Sequence, residues 1–250
     1  NEKPQSKFST NKISSAITQN SDIKYYEKIY YKSYGDCSLK KDCAEIKIEY
    51  PEILSNNPVL DSINSFINSE ILNLSFNEDS YSSLDEISDS LFANYLTVQS
   101  DFPDYHIGWF IHSKLTLSIT KFNIMALTNK SSVFLGGANS NNNITITNFD
   151  LETGEIIELN NIVENDDLSK ITQIGEKIFR ESKNIPSNSS LEKNGYWFEN
   201  NTFQLNDNFA ISDSGIVFIY NLYEIAPRSN GVTKLFIPKE KLSKIIKIFN

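Results

Sequence analysis

Trp109-Phe110-Ile111-His112-Ser113-Lys114-Leu115-Thr116-Leu117-Ser118-Ile119 alternates cleanly along its length. Trp109, Ile111, Leu115, Leu117 and Ile119 fall on one face; Phe110, His112, Lys114, Thr116 and Ser118 fall on the other. A period of two belongs to a strand with one face buried and one face wet. Strands are predicted to continue over residues 122–134 and 144–149. Asp150-Leu151-Glu152-Thr153-Gly154 reads as a turn, and residues 156–159 as a short strand. Connections this short join antiparallel neighbours, so an antiparallel sheet is expected.

Upstream, residues 24–34 are rich in Tyr and Ile, and residues 44–50 alternate Ile46, Ile48 and Tyr50 against Glu45, Lys47 and Glu49. The two read as an antiparallel pair joined through a tip that carries Cys37 and Cys43. Asn57-Pro58 starts a helix, with Asn as N-cap and Pro at the first helical position. Its apolar face is Val59, Ile63, Phe66, Ile67 and Ile71. Ser83 and Glu86 fit a capping box for a second helix with Leu84, Ile87, Leu91, Tyr95 and Val98 on one face. Asp85, Glu86 and Asp89 in its first turns suit the helix dipole. Residues 1–21 are polar and without periodicity, and read as a flexible leader or tether.

Downstream, Asn165 can cap a helix through Ser182 with Leu168, Ile171, Gly175 and Ile178 on one face. Residues 185–201 read as loop, though Tyr196-Trp197-Phe198 should pack. Strands follow over 203–211, 216–220 and 232–237; the second is apolar on both faces and is expected to be central. Pro238 opens a last helix with Leu242, Ile245, Ile246 and Phe249 facing the core. The abundant asparagines read as compositional bias. The fold class is α+β, antiparallel sheets flanked by helices. A small N-terminal subdomain over 22–134 is continuous with a larger C-terminal domain over 135–250.

The chain has 250 residues, a formal net charge of -9, and arginine only at Arg180 and Arg228. Phosphate recognition needs clustered cations, so nucleic acid is not an expected partner. No apolar run is long enough to span a membrane. The chain opens on Asn1-Glu2-Lys3-Pro4 rather than on a signal peptide, as the mature part of an exported protein or a cytosolic domain would. Cys37 and Cys43 bracket five residues, four of them polar. A disulfide there would close a short ring worth roughly 2 kcal/mol and imply an oxidising compartment. The alternative is two thiols in a cytosolic protein. His106 and His112 are distant from the cysteines in sequence, so no metal site and no cofactor are expected.

Three C-terminal segments resemble the RsiV/PdaC-like family of exported domains. They are Phe134-Leu135-Gly136-Gly137-Ala138-Asn139, Asp150-Leu151-Glu152-Thr153-Gly154-Glu155, and Tyr223-Glu224-Ile225-Ala226-Pro227-Arg228-Ser229-Asn230-Gly231. The resemblance covers roughly residues 22–250 and includes the helix that bears Asn64. Asn139 stands where the family usually has His, and Arg228 where it often has Tyr. The resemblance implies an exported, often membrane-tethered α+β domain. Within the family, RsiV binds lysozyme as a sensor, and the catalysis of PdaC resides in a separate domain that this chain lacks.

Motifs for chemistry are sparse. Ser-x-x-Lys occurs at Ser21–Lys24, Ser118–Lys121 and Ser190–Lys193, as chance allows in a chain rich in Ser and Lys. Neither a Gly-x-Ser-x-Gly elbow nor a phosphate-binding glycine loop is present. Gly136 and Gly137 suit a tight turn or a close approach of ligand to backbone. Arg228 suits a partner-facing anchor. The expectation is therefore a non-catalytic, extracytoplasmic binding or sensing domain of the bacterial envelope. Its partner would be a cationic, lysozyme-like protein or peptidoglycan, met through Gly136, Gly137, Asn139, Tyr223, Glu224 and Arg228, with a lipid or N-terminal tether. The alternatives are a cell-wall hydrolase using His112 with nearby carboxylates, which requires His112 within one water of a carboxylate, and a purely structural envelope module.

Overall fold

The computed structural model describes residues 5–17, 22–73, 80–163 and 165–249. The chain divides into two compact units. Of the described residues, the first takes 5–17, 22–73, 80–116 and 129–143; the second takes 117–128, 144–163 and 165–249. The division expected at 134/135 is therefore not a single cut, because the chain changes unit within three of its strands.

In the first unit, β1 (Gln5–Ile17) pairs antiparallel with β2 (Asp22–Tyr34), with a register shift between Thr10 and Lys12. The polar leader expected over residues 1–21 thus contains a strand. Its composition is that of a solvated segment, but the edge of β2 offers unpaired backbone groups, and such an edge recruits a strand whatever its composition. β3 (Ala44–Ile53) pairs antiparallel with β2, with Tyr34 opposite Ala44. The expected disulfide joins Cys37 and Cys43, whose Cα atoms are 5.3 Å apart, across the tip between them.

α1 (Pro58–Leu72) begins as predicted, with Asn57 Oδ1 accepting from Leu60 N at 3.0 Å and Pro58 in the first turn. Its buried face is Leu60, Ile63, Ile67 and Ile71, so Leu60 takes the place expected for Val59. Asn64 on this helix accepts from Ile53 N and donates to Ile53 O, closing off the end of β3. α2 (Leu84–Asp101) starts at Ser83, whose hydroxyl accepts from Glu86 N. The Glu86 carboxylate returns to the backbone and hydroxyl of Ser82, one residue earlier than a capping box requires. Asp85 and Asp89 do more than face the helix dipole: both bind Lys32 of β2, and Tyr30 donates to Asp85.

β4 (Trp109–Ile119) alternates in burial as predicted, but it runs parallel to β3, with Ala44 beside Trp109 and Ile46 beside Ile111. The expectation of wholly antiparallel sheets is corrected at this pair. The connection is long and carries α1 and α2, both packed on β3, and a crossover of that kind returns the chain in the same direction. β5 (Ile124–Phe134) and β6 (Asn141–Asp150) follow.

In the second unit, Asp150 Oδ1 accepts from Glu152 N and Thr153 N to form the predicted turn into β7 (Ile156–Ile157). The strand order of the larger sheet is β1-β2-β3-β4-β5-β6-β7. α3 (Leu159–Ile162) precedes α4 (Asn165–Lys183), which buries Ile171 and Phe179. β8 (Phe209–Ser212), β9 (Gly215–Tyr220) and β10 (Thr233–Pro238) form a second sheet with β9 in the centre, as its two apolar faces predict. Residues 203–208, read as strand, lie outside β8. The expected last helix is a single turn, α5 (Lys239–Leu242), and Pro238 ends β10 rather than opening a long helix. Leu242 and Ile246 still reach the core, with Ile245 and Phe249 packed against it.

Candidate functional site

Residues 191–203 build one corner of the second unit. Tyr196 and Phe198 are buried against Phe179, with ring centroids at 5.0 and 5.6 Å. An extended backbone alternates its side chains, so the residue between two buried rings points outward. That residue is Trp197, and it is 45% exposed. Its backbone N donates to Ile225 O, and its indole Nε1 donates to Glu224 O at 3.1 Å and, at 3.4 Å, to Tyr223 O. The indole is therefore held by the loop that follows β9. The tryptophan expected to pack is thus a surface residue, and the period of two in Tyr196-Trp197-Phe198 was the signal for it.

The loop beside it is anchored at both ends. Tyr220 is buried, which pushes its phenol well above its ordinary range, and its hydroxyl donates to Gln204 O. Ile225 and Ala226 are buried. Between these anchors, Tyr223 has φ of 64° and is 59% exposed. A bulky side chain in the left-handed region is uncommon, costs free energy, and persists only where surrounding contacts hold it. Glu224 supplies such contacts: its carboxylate accepts from Asn221 N and from Asn206 Nδ2, each at 2.7 Å. Glu224 thus shapes the loop. Arg228, half-buried, lies in the short turn that follows Pro227. Asn206 Oδ1 is buried with no hydrogen-bond partner among the described residues.

The other predicted site residues lie in the first unit. Gly136 has φ of 80°, and a Cβ there would sit 1.5 Å from Tyr105 Oη and 2.9 Å from Trp109 Nε1. Tyr105 Oη accepts from Trp109 Nε1 at 2.7 Å, so Gly136 makes room for a packed pair of side chains. Gly137 and Asn139 are exposed, and a Cβ at Gly137 would meet nothing within 4 Å. Gly136, Gly137 and Asn139 thus belong to one unit, and Tyr223, Glu224 and Arg228 to the other.

His112 donates from Nε2 to Glu45 Oε1 at 2.8 Å, and Tyr31 Oη donates to Glu45 Oε2 at 3.0 Å. Phe110 stacks on His112 and on Phe134, with centroids at 4.7 and 5.7 Å. The His112 hydrogen bond holds the Glu45 carboxyl below its ordinary range, against the opposing effect of burial. A lowered folded-state pKa contributes stability above the ordinary carboxylate range and loses it as pH falls through the lowered value. Acidification from neutral pH is expected to shrink the difference in melting temperature between the wild type and Glu45→Gln. A difference that stays constant as pH falls would refute this. His106 lies outside β4, in the irregular segment before it, where its Nδ1 and Asp42 Oδ1 are 2.8 Å apart. Among the described residues, no three His, Cys, Asp or Glu side chains are placed to hold a metal ion. None of the described helices is long and apolar enough to cross a membrane. A cavity of about 790 Å³ lies along α4, where Arg180 is engaged by Glu176 and by the carbonyls of Pro186 and Ser189.

The fold and this corner define an α+β protein with an aromatic surface site on its second unit. Residues 160–240 match the model of a family described as "Protein of unknown function (DUF3298)". That segment includes Trp197, Tyr223, Glu224 and Arg228. No curated protein matches the chain. A crystal structure of a DUF3298 family member from Bacteroides fragilis NCTC 9343 is similar, with a TM-score of 0.68 and 18% identity over 98% of this chain and 93% of that one. A DUF3298 family protein from Pseudomonas aeruginosa PAO1 is similar too, with a TM-score of 0.62 and 16% identity over 89% of this chain and 92% of that one. At these identities the likeness is one of fold.

Proposed function

We propose that this chain is a non-catalytic recognition module on the extracytoplasmic side of the bacterial envelope, of the RsiV/PdaC-like kind. Its partner is a lysozyme-like protein or a cell-wall glycan, met at Trp197, Tyr223 and Arg228. The observation that carries the reading is Trp197, an exposed indole locked by its own N–H to the loop of Tyr223. Trp, Tyr and Arg are the residue types on which binding energy concentrates, and a ring already held in place loses little entropy on binding. The Cys37–Cys43 disulfide supports an oxidising compartment. The net charge of -9 suits steering of a cationic partner.

The test is co-sedimentation with purified peptidoglycan and pull-down with lysozyme-like proteins. The chain is expected to bind one of them, and Trp197→Ala is expected to weaken that binding by about 30-fold, the cost of losing one hot-spot residue. Binding to neither, or binding untouched by Trp197→Ala, would refute the reading. A second reading, a cell-wall hydrolase, is favoured by one distance, the 2.8 Å between His112 and Glu45. That reading requires release of soluble glycan fragments by the wild type and none by His112→Ala.

A further inference from the structure

We propose that the ligand taken at Trp197 and Tyr223 is a neutral saccharide of the hexose or N-acetylhexosamine class. This rests on the recognition reading above and narrows its ligand. The indole N–H is already donated to Glu224 O, so what Trp197 offers solvent is apolar ring surface in a fixed orientation. Tyr223 adds a second exposed aromatic residue on the loop that holds the indole, its backbone carbonyl within reach of the indole N–H. A pyranose has a face of C–H bonds that covers an aromatic ring and a rim of hydroxyls that needs polar partners. Ser229 and Asn230, exposed on the turn that follows Pro227, offer a hydroxyl and an amide on the same loop.

Area argues against a protein at this corner. A stable protein interface buries about 800 Å² on each partner, around an apolar centre. Among the described residues, the other exposed large apolar side chains of the second unit, Ile156 and Phe236, lie on β7 and β10. An exposed, fixed indole held by a loop that carries Tyr223, Ser229 and Asn230 matches a sugar unit instead. Charge selects among glycans. A chain at -9 with two arginines repels a polyanionic polymer, which leaves neutral sugars.

The experiment uses the two tryptophans of the chain. Trp109 is 7% exposed, so a ligand-induced change in emission reports on Trp197. The whole protein is titrated with N-acetylglucosamine oligomers, and separately with lysozyme; calorimetry supplies affinities for variants without the reporter. The oligomers are expected to shift Trp197 emission to the blue and to saturate. Tyr223→Ala is expected to weaken the calorimetric affinity by about 10-fold, and Trp197→Ala by about 30-fold, both with unchanged far-ultraviolet circular dichroism. Saturable lysozyme binding that depends on Trp197, with no response to sugars, would overturn the saccharide and leave the recognition reading standing. A response to neither would overturn both. Oligomer binding of undiminished affinity in Trp197→Ala would overturn the site.

Discussion

Gly215→Ala is expected to lower folding stability by about 3–5 kcal/mol, well above the roughly 1 kcal/mol of an ordinary substitution. Gly215 closes the hairpin between β8 and β9 and pairs with Pro238 of β10. Its φ is 147°, where side chains are rarely found. A Cβ there would lie 2.2 Å from Ile237 O, 2.9 Å from Pro238 Cα and 3.0 Å from Lys239 N. All three are backbone atoms, so no rotamer change relieves the overlap. β10 would have to shift, and the bond from Lys239 N to Ser214 O would go with it. Gly137→Ala, with open space around the new methyl, is the control and should cost less than about 1 kcal/mol. Urea unfolding of both variants settles the matter; equal midpoints would refute the argument.

Asn148→Leu is the second large loss, expected at about 2–5 kcal/mol. Asn148 lies on β6 and is 2% exposed. Its side chain donates to Phe209 O at 2.8 Å and accepts from Ile211 N at 3.1 Å. Leucine fills a similar volume but leaves both backbone groups of β8 buried and unpaired, at about 1–3 kcal/mol each. Two more asparagines act in the same way. Asn208 accepts from Ile146 N and donates to Ile144 O and Ile219 O; Asn221 accepts from Ile144 N and donates to Ile144 O. Along this edge of β6, amide side chains stand in for a neighbouring strand. Hydrogen exchange should show the amide of Ile211 protected in the wild type and exposed in Asn148→Leu. Protection retained in the variant would sink the claim.

In sequence the abundant asparagines read as compositional bias; in the fold three of them complete backbone hydrogen bonding. An amide side chain reproduces the donor and acceptor of a peptide group, but whether it does so depends on which edge lies within reach. No local pattern around Asn148, Asn208 or Asn221 marks that edge. The same holds at the candidate site. Tyr223, Glu224 and Arg228 stand out in sequence, whereas Trp197 joins them only through contacts across 26 and 27 positions. Gly136, equally prominent in sequence, serves the packing of Tyr105 and Trp109.

The amino-acid order alone determined what depends on neighbours a few residues apart. The alternation of β4, the Asn57-Pro58 start of α1, the disulfide-closed tip and the central character of β9 all follow from periodicity, capping chemistry and short spacing. The tertiary structure decided what depends on distant partners. It made β3 and β4 parallel, recruited residues 5–17 to the edge of β2, turned Trp197 outward and set asparagine amides along β6. Backbone groups must find hydrogen bonds wherever they are buried, and which partner satisfies them is settled only when remote segments meet.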